Sequence, residues 1–146
     1  MRENKRILII QGSSRSNGNT NRIVRLLQQK VAADLLDLNT KTIAPFDYEF
    51  NNREDDFLSI IKDVADNYDL LVFATPVYYG DQSESMRAFT DRLRRISRTQ
   101  EHRRGIAGKP AVGLCVAGGG GGGAGGPRIV YVTPSPEGDS AQVYNG

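Results

Sequence analysis

Residues 7–27 read Ile-Leu-Ile-Ile-Gln-Gly-Ser-Ser-Arg-Ser-Asn-Gly-Asn-Thr-Asn-Arg-Ile-Val-Arg-Leu-Leu, and the reading of this stretch decides the fold. Ile7 to Ile10 is an uninterrupted apolar run that closes at Gly12, the pattern of a strand buried on both faces in a parallel sheet. Behind the polar loop Gly12 to Thr20, the residues Ile23, Leu26, Leu27 and Val31 fall at i, i+3, i+4 and i+8. That spacing predicts a helix with one apolar face. Strand, polar glycine loop and helix together open an α/β fold.

The pattern continues along the chain. Leu35, Leu36 and Leu38 predict a second short strand, and Asn39 to Arg53, with Pro45 inside it, predicts a long connecting loop. Phe57, Ile60, Ile61 and Val64 make a second helix behind Glu54, Asp55 and Asp56, whose charges suit a helix N-terminus. Leu70 to Ala74 predicts a third buried strand, broken by Pro76. Ser83 can cap a third helix carrying Met86, Phe89, Leu93 and Ile96 on one side, and Ala111 to Val116 predicts a fourth strand. Alternating strands and helices of these lengths predict a doubly wound parallel sheet with helices on both faces. Ligands of such sheets bind beyond the carboxyl ends of the strands, so the loops after the first, third and fourth strands are the ones to watch.

Gly118 to Gly126 then holds eight glycines and Ala124, which cannot pack a core and cost much entropy to order. Ile129 to Val132 can form a strand, but a parallel crossover needs a dozen or more residues, usually helical, and a regular fifth strand with its helix is missing. Residues 1–126 thus read as one domain and 127–146 as an irregular tail.

The chain has 146 residues with 19 Lys and Arg, 17 Asp and Glu, and a net charge of +2. That is one domain, with too little positive charge for a chain whose main partner is nucleic acid. The balance hides a separation: Asp47 to Asp69 carries eight acids and two bases, and Arg87 to Lys109 eight bases and two acids. A positive region is therefore available for an anionic ligand. A single cysteine, Cys115, rules out an internal disulfide, and no Cys and His cluster suggests a metal. With no signal-peptide core behind Arg2, Lys5 and Arg6 and no run approaching a membrane span, a cytoplasmic protein is expected. Cys115, inside an apolar strand, reads as a small core residue. His102 and its neighbours Arg98, Arg103 and Arg104 read as a solvated face.

Two loops carry the chemistry. The first sets Ser13, Ser14, Arg15, Ser16, Asn17, Gly18, Asn19 and Thr20 directly before a helix, where free backbone N–H groups, the helix dipole, hydroxyls and a guanidinium suit an anion such as a phosphate. It is neither a Walker loop nor a Gly-x-Gly-x-x-Gly turn, and an ordinary Ser- and Asn-rich helix cap would look the same. The second, Thr75-Pro76-Val77-Tyr78-Tyr79-Gly80-Asp81, places two tyrosines where a flat ring system can lie. The same rings could simply cover the end of the sheet.

Gly-Ser-Ser-Arg-x-x-Gly-Asn-Thr after the first strand, Thr-Pro-Val-Tyr-Tyr-Gly after the third, and Met86-Arg87-Ala88-Phe89-Thr90-Asp91-Arg92-Leu93 in the next helix resemble the flavodoxin-like NADPH-dependent FMN reductases over about Arg6 to Gly120. The resemblance implies a flavodoxin-like sheet of order 2-1-3-4 with an irregular or missing fifth strand. It places the FMN phosphate on Ser13, Ser14, Arg15, Asn17, Asn19 and Thr20, and the isoalloxazine against Pro76, Val77, Tyr78, Tyr79, Gly80, Gly118 and Gly119. Some relatives carry paired cysteines in the loop after the second strand; Asn39 to Arg53 has none, which excludes an iron-sulfur or cysteine-redox variant. The implied activity is hydride transfer from NADPH or NADH through FMN to a quinone, flavin or similar small acceptor. No catalytic side chain is required, because the flavin carries the redox chemistry. A flavodoxin-type electron carrier that does not itself oxidise NAD(P)H is the alternative, though a charge of +2 is unlike carriers that dock on basic partners. An unpaired sheet edge and the shortened C-terminus predict a homodimer or homotetramer.

Overall fold

The computed structural model describes residues 4–49, 54–78, 81–96, 106, 108–116 and 128–132, of which 77, 78, 81, 94–96 and 128–132 are described by backbone alone. The expected sheet forms. β1 (Ile7–Gln11) lies between β2 (Ala33–Asp37) and β3 (Leu70–Tyr78), parallel to both, with Ile9 opposite Leu35 on one side and Val72 on the other. A two-residue strand, β4 (Asp81–Gln82), folds back antiparallel on the end of β3, and β5 (Ala111–Val116) runs parallel to β3 on its far side. The strand that follows, β6 (Arg128–Val132), completes the order β2-β1-β3-β5-β6 by pairing antiparallel with β5. The four parallel strands therefore follow the flavodoxin-like order. Residues 128–132 join the sheet instead of an irregular tail, since an antiparallel return needs no helical crossover. Residues 117–127 and 133–146, and with them the expected glycine loop, lie outside the described residues.

Helices cover both faces. On one, α2 (Phe57–Asn67) and α3 (Glu84–Ile96) pack Phe57, Ile60, Ile61, Val64, Met86 and Phe89 against Leu8, Ile10 and Leu71, all of them buried. The rings of Phe57 and Phe89 meet edge to face at 5.6 Å between centroids, worth about 0.5–1.5 kcal/mol beyond their burial. The other face is packed by α1 (Asn19–Lys30) through Val24, with Ile23 and Leu27 beside it, against Ile9, Val72, Ala74 and Leu114.

Several local expectations change. The buried residues of α1 are Thr20, Asn21 and Val24, whereas Leu26 is 59% exposed and Val31 lies past the last turn at 38%; the inward stripe is set by where the helix begins. Leu38 is buried, but in a one-turn 3-10 segment, Leu38–Thr40, beyond the end of β2. Pro76 does not end β3. Ala74 accepts the Gly12 amide at 2.8 Å, so Pro76, two residues on, turns its proline nitrogen to the side where β1 has already stopped, and no ladder bond is lost. Cys115 is half-buried, and burial raises its thiol pKa.

The acids before α2 do more than complement its dipole. The Asp55 carboxylate accepts the Phe57 amide at 3.1 Å and the Ala44 amide at 2.9 Å, and pairs with the Arg92 guanidinium of α3; both side chains are almost fully buried. Arg92 also stacks over the Phe57 ring at 4.3 Å. Burial alone would raise the Asp55 pKa. The two amides and Arg92 outweigh it and hold the carboxyl below its ordinary value. Arg92, counted in the basic segment, is therefore spent inside the protein, and Lys109 likewise donates to the Tyr68 carbonyl. Arg98, His102, Arg103 and Arg104, in the positive region expected from the sequence, lie outside the described residues.

Candidate functional site

The loop after β1 is fixed by what surrounds it. Gly12 ends the strand by donating to the Ala74 carbonyl, and its Cα is pressed against α3: a Cβ at this position would stand 2.8 Å from the Met86 Cβ and 3.2 Å from its Cα. Only glycine lets the two segments meet at this separation. Gln11, fully buried, aims its carboxamide up into the loop, donating to the Ser16 carbonyl at 3.4 Å and accepting from the Asn21 side chain at 3.0 Å. Asn39, from the turn after β2, donates to the Ser16 hydroxyl at 3.2 Å, and the Ser13 hydroxyl accepts the Arg15 amide at 3.3 Å.

What this scaffold presents suits an anion. The N-terminus of α1 has Gly18 as its N-cap, no side-chain hydrogen bond on its first amides, and no acid in its first turn. The orphan N–H groups and the positive end of the helix dipole are thus left for a ligand. Ser14, Arg15, Ser16, Asn17 and Asn19 are exposed around it. Among the described residues the Arg15 guanidinium takes no hydrogen-bond or ion-pair partner. Thr20 is only 2% exposed and its hydroxyl has no partner there either; because no buried polar side-chain atom among the described residues is left unpaired, the small exposed part of Thr20 includes that hydroxyl. Ser13 is buried and serves the loop's own turn. The donor set fits a phosphate monoester: amides, hydroxyls and one guanidinium, with no acid in the first turn of the helix.

The ring-side loop is only partly visible. Pro76 is buried, Val77 and Tyr78 continue β3 and pair with Gln82 and Asp81, and Tyr79, Gly80, Gly118 and Gly119 lie outside the described residues. What joins this loop to the first is Ser83. Its amide donates to the Thr75 hydroxyl at 3.0 Å, its hydroxyl donates to the Gly12 carbonyl at 2.6 Å, and the same oxygen caps α3 by accepting the Met86 amide at 3.2 Å. The cap was legible in the sequence; the link to Gly12, 71 residues away, was not. Gln11, Asn21 and Asn39 were missed too, although a glutamine closing an apolar strand is a signal that a buried amide has work at the strand end.

Among the described residues no cluster of His, Cys, Asp or Glu could hold a metal, and no helix is long and apolar enough to cross a membrane.

Comparison with known proteins decides the family. Residues 5–127 match the model of the NADPH-dependent FMN reductases. The chain belongs to that family. Its cofactors are FMN and a nicotinamide nucleotide, and the loop after β1 has donors of the kind that the phosphate of the first would need. A relative from Bacillus subtilis strain 168, YwqN, whose working name is NAD(P)H-dependent FMN-containing oxidoreductase, is 29% identical over 133 residues, covering 85% of this chain and 73% of its own. Among solved structures, the Trp repressor binding protein of Bacillus subtilis aligns with a TM-score of 0.59 and 26% identity, over 77% of this chain and 64% of that one. The flavoenzyme FerB of Paracoccus denitrificans, an NAD(P)H:acceptor oxidoreductase, aligns with a TM-score of 0.60 over 76% of this chain and 60% of its own; at 15% identity it speaks to the fold alone. The chain thus spans a little under two thirds of these two solved relatives.

Proposed function

We propose that this FMN reductase family member binds FMN with its phosphate on the Gly12–Thr20 loop and its ring system toward Pro76–Gly80 and the Gly118–Gly119 segment, oxidises NADPH or NADH, and reduces a quinone, a free flavin or a similar small acceptor. The observation that carries the reading is the N-terminus of α1, without a side-chain cap, beside the Arg15 and Thr20 side chains, which take no partner among the described residues, at the carboxyl end of β1. When bound, FMN would supply the redox chemistry, accepting two electrons and one proton as hydride and passing the electrons on to the acceptor.

The chain's own contribution is binding and placement. The α1 amides and Arg15 would compensate the phosphate charge, with the Thr20 hydroxyl donating to one of its oxygens. Gln11 and Asn21 hold the loop open from below, so that little reorganisation accompanies binding. Pro76 stiffens the backbone on the ring side, and the aromatic pair Tyr78 and Tyr79 would offer one face to the ring. A homodimer or homotetramer acting in the cytoplasm completes the reading.

The test is anaerobic mixing of the FMN-loaded protein with NADPH. Bleaching of the flavin absorbance at a catalytic rate, with re-oxidation by a quinone, is expected. Flavin that stays oxidised in NADPH and NADH, yet is reduced by dithionite, would instead indicate an electron carrier.

A further inference from the structure

The two halves of the candidate site, the loop after β1 and the ring-side segment after β3, are bridged by Ser83 at the start of α3. We propose that Ser83 is a positioning residue that keeps these loops in register, so that one FMN-length ligand can engage both at once. The proposal rests on the FMN reading above.

Its basis is the way Ser83 uses its hydrogen bonds. The hydroxyl carries one proton, and the 2.6 Å separation assigns it to the Gly12 carbonyl, the first residue of the phosphate loop. The oxygen then acts only as acceptor, from the Met86 amide at 3.2 Å and from Ser85, whose hydroxyl lies at 3.3 Å and must be the donor of that pair. The Ser83 amide is tied to the Thr75 hydroxyl, whose own proton has the Pro76 carbonyl at 2.9 Å and, farther off, the Ser83 hydroxyl oxygen at 3.4 Å as acceptors. Gly12, Thr75 and the first turn of α3 are thus linked through a single side chain that is 4% exposed. Any sliding of one loop against the other breaks a buried hydrogen bond. The Gly12 contact with Met86 adds a steric stop on the same junction.

A ligand held at two points gains from the second contact in proportion to the effective concentration at which the first presents it. That gain depends on the loops being fixed relative to each other, whereas binding at either loop alone does not. Riboflavin, which lacks the phosphate, and FMN therefore separate the two roles. In the wild type FMN should bind much more tightly than riboflavin. In Ser83→Ala, FMN affinity should fall about tenfold or more while riboflavin affinity changes less than about threefold, so that the preference for the phosphate shrinks. Thr75→Val, which keeps the shape but removes the acceptor of the Ser83 amide, should shrink it in the same sense, and Ser83→Thr, which keeps the hydroxyl, should restore it. Flavin fluorescence quenching reads both affinities, and far-ultraviolet circular dichroism verifies folding; should Ser83→Ala not fold, Thr75→Val carries the test. An unchanged preference in the folded variants, or parallel losses for both ligands, would overturn the positioning role. A wild type that binds FMN and riboflavin equally would overturn the phosphate assignment beneath it, a failure visible before any variant is made.

Discussion

Replacing Gly12 with alanine probes the junction on which the site is built. The added Cβ would lie 2.8 Å from the Met86 Cβ, 3.0 Å from its Cε and 3.2 Å from its Cα. Ordinary carbon contacts are about 3.5 Å or longer, so either β1 or α3 must move by about 0.5 Å or more. The flexible Cε can swing aside; the Cβ and Cα cannot. Movement also stretches the bonds from Ser83 to the Gly12 carbonyl and from the Gly12 amide to Ala74. Overpacking of this kind costs about 1–3 kcal/mol, and with a urea slope of about 1–3 kcal/mol per molar the unfolding midpoint should drop by about 1 M. The penalty should persist in a Met86→Ala background, because alanine retains the offending Cβ. Gly18→Ala is the control: its Cβ would find nothing closer than the Arg15 Cβ at 3.4 Å, so only the weak N-cap preference is lost, under about 1 kcal/mol. If Gly12→Ala is as stable as Gly18→Ala and binds FMN as tightly as the wild type, the account of this junction is wrong.

Other outcomes follow from the charges. Asp55→Asn leaves Arg92 buried without its counter-charge and should destabilise by about 3–5 kcal/mol in urea unfolding, much more than exchange of an exposed acid. Because the folded pKa of Asp55 is depressed, its stabilising contribution is present above the unfolded carboxylate value and is lost as pH falls through the folded value, so acid unfolding curves should flatten in the Asn variant. Tyr68, buried and donating to Asp34 at 2.6 Å, has its phenol pushed up to about 12 by burial first and the Asp34 carboxylate second. Its contribution is complete below the unfolded phenol value and lost as pH rises toward 12; an absorbance titration at alkaline pH should show one late tyrosine that Tyr68→Phe removes. Arg15→Ala should weaken FMN by about ten- to a hundredfold, as expected for loss of a charge-assisted hydrogen bond, without altering the stability of the apoprotein.

How far the sequence could be read depended on the range of the interaction. The apolar runs of β1 and β3 and the helical spacing of Phe57, Ile60, Ile61 and Val64 are local, and the structure places them as read. Thr20 and Arg15 could be singled out as candidate phosphate ligands because a helix start behind a strand is itself a local pattern, and the structure sets both at the N-terminal end of α1. Asp55 and Arg92 were not recognised as a pair: a carboxylate before a helix and an arginine in a basic run each have a bland local explanation, and only the packing of α2 against α3 brings them together. Gln11, Asn21 and the link from Ser83 to Gly12 escaped for the same reason, since those partners depend on how the loops close over the sheet. Pro76 misled because the rule against proline in strands concerns the missing donor, and in β3 that donor would have faced a position β1 no longer occupies.

The central claim is that the Gly12–Thr20 loop holds the phosphate of FMN. Titration of the wild-type apoprotein with FMN and with riboflavin, followed by flavin absorbance and fluorescence, addresses it most directly. Saturable binding of one FMN per chain at micromolar concentration is expected, with riboflavin weaker by about a hundredfold or more, the share of two or more charge-assisted hydrogen bonds to the phosphate. Equal affinity for the two flavins, or an FMN spectrum that stays that of free flavin, would contradict it.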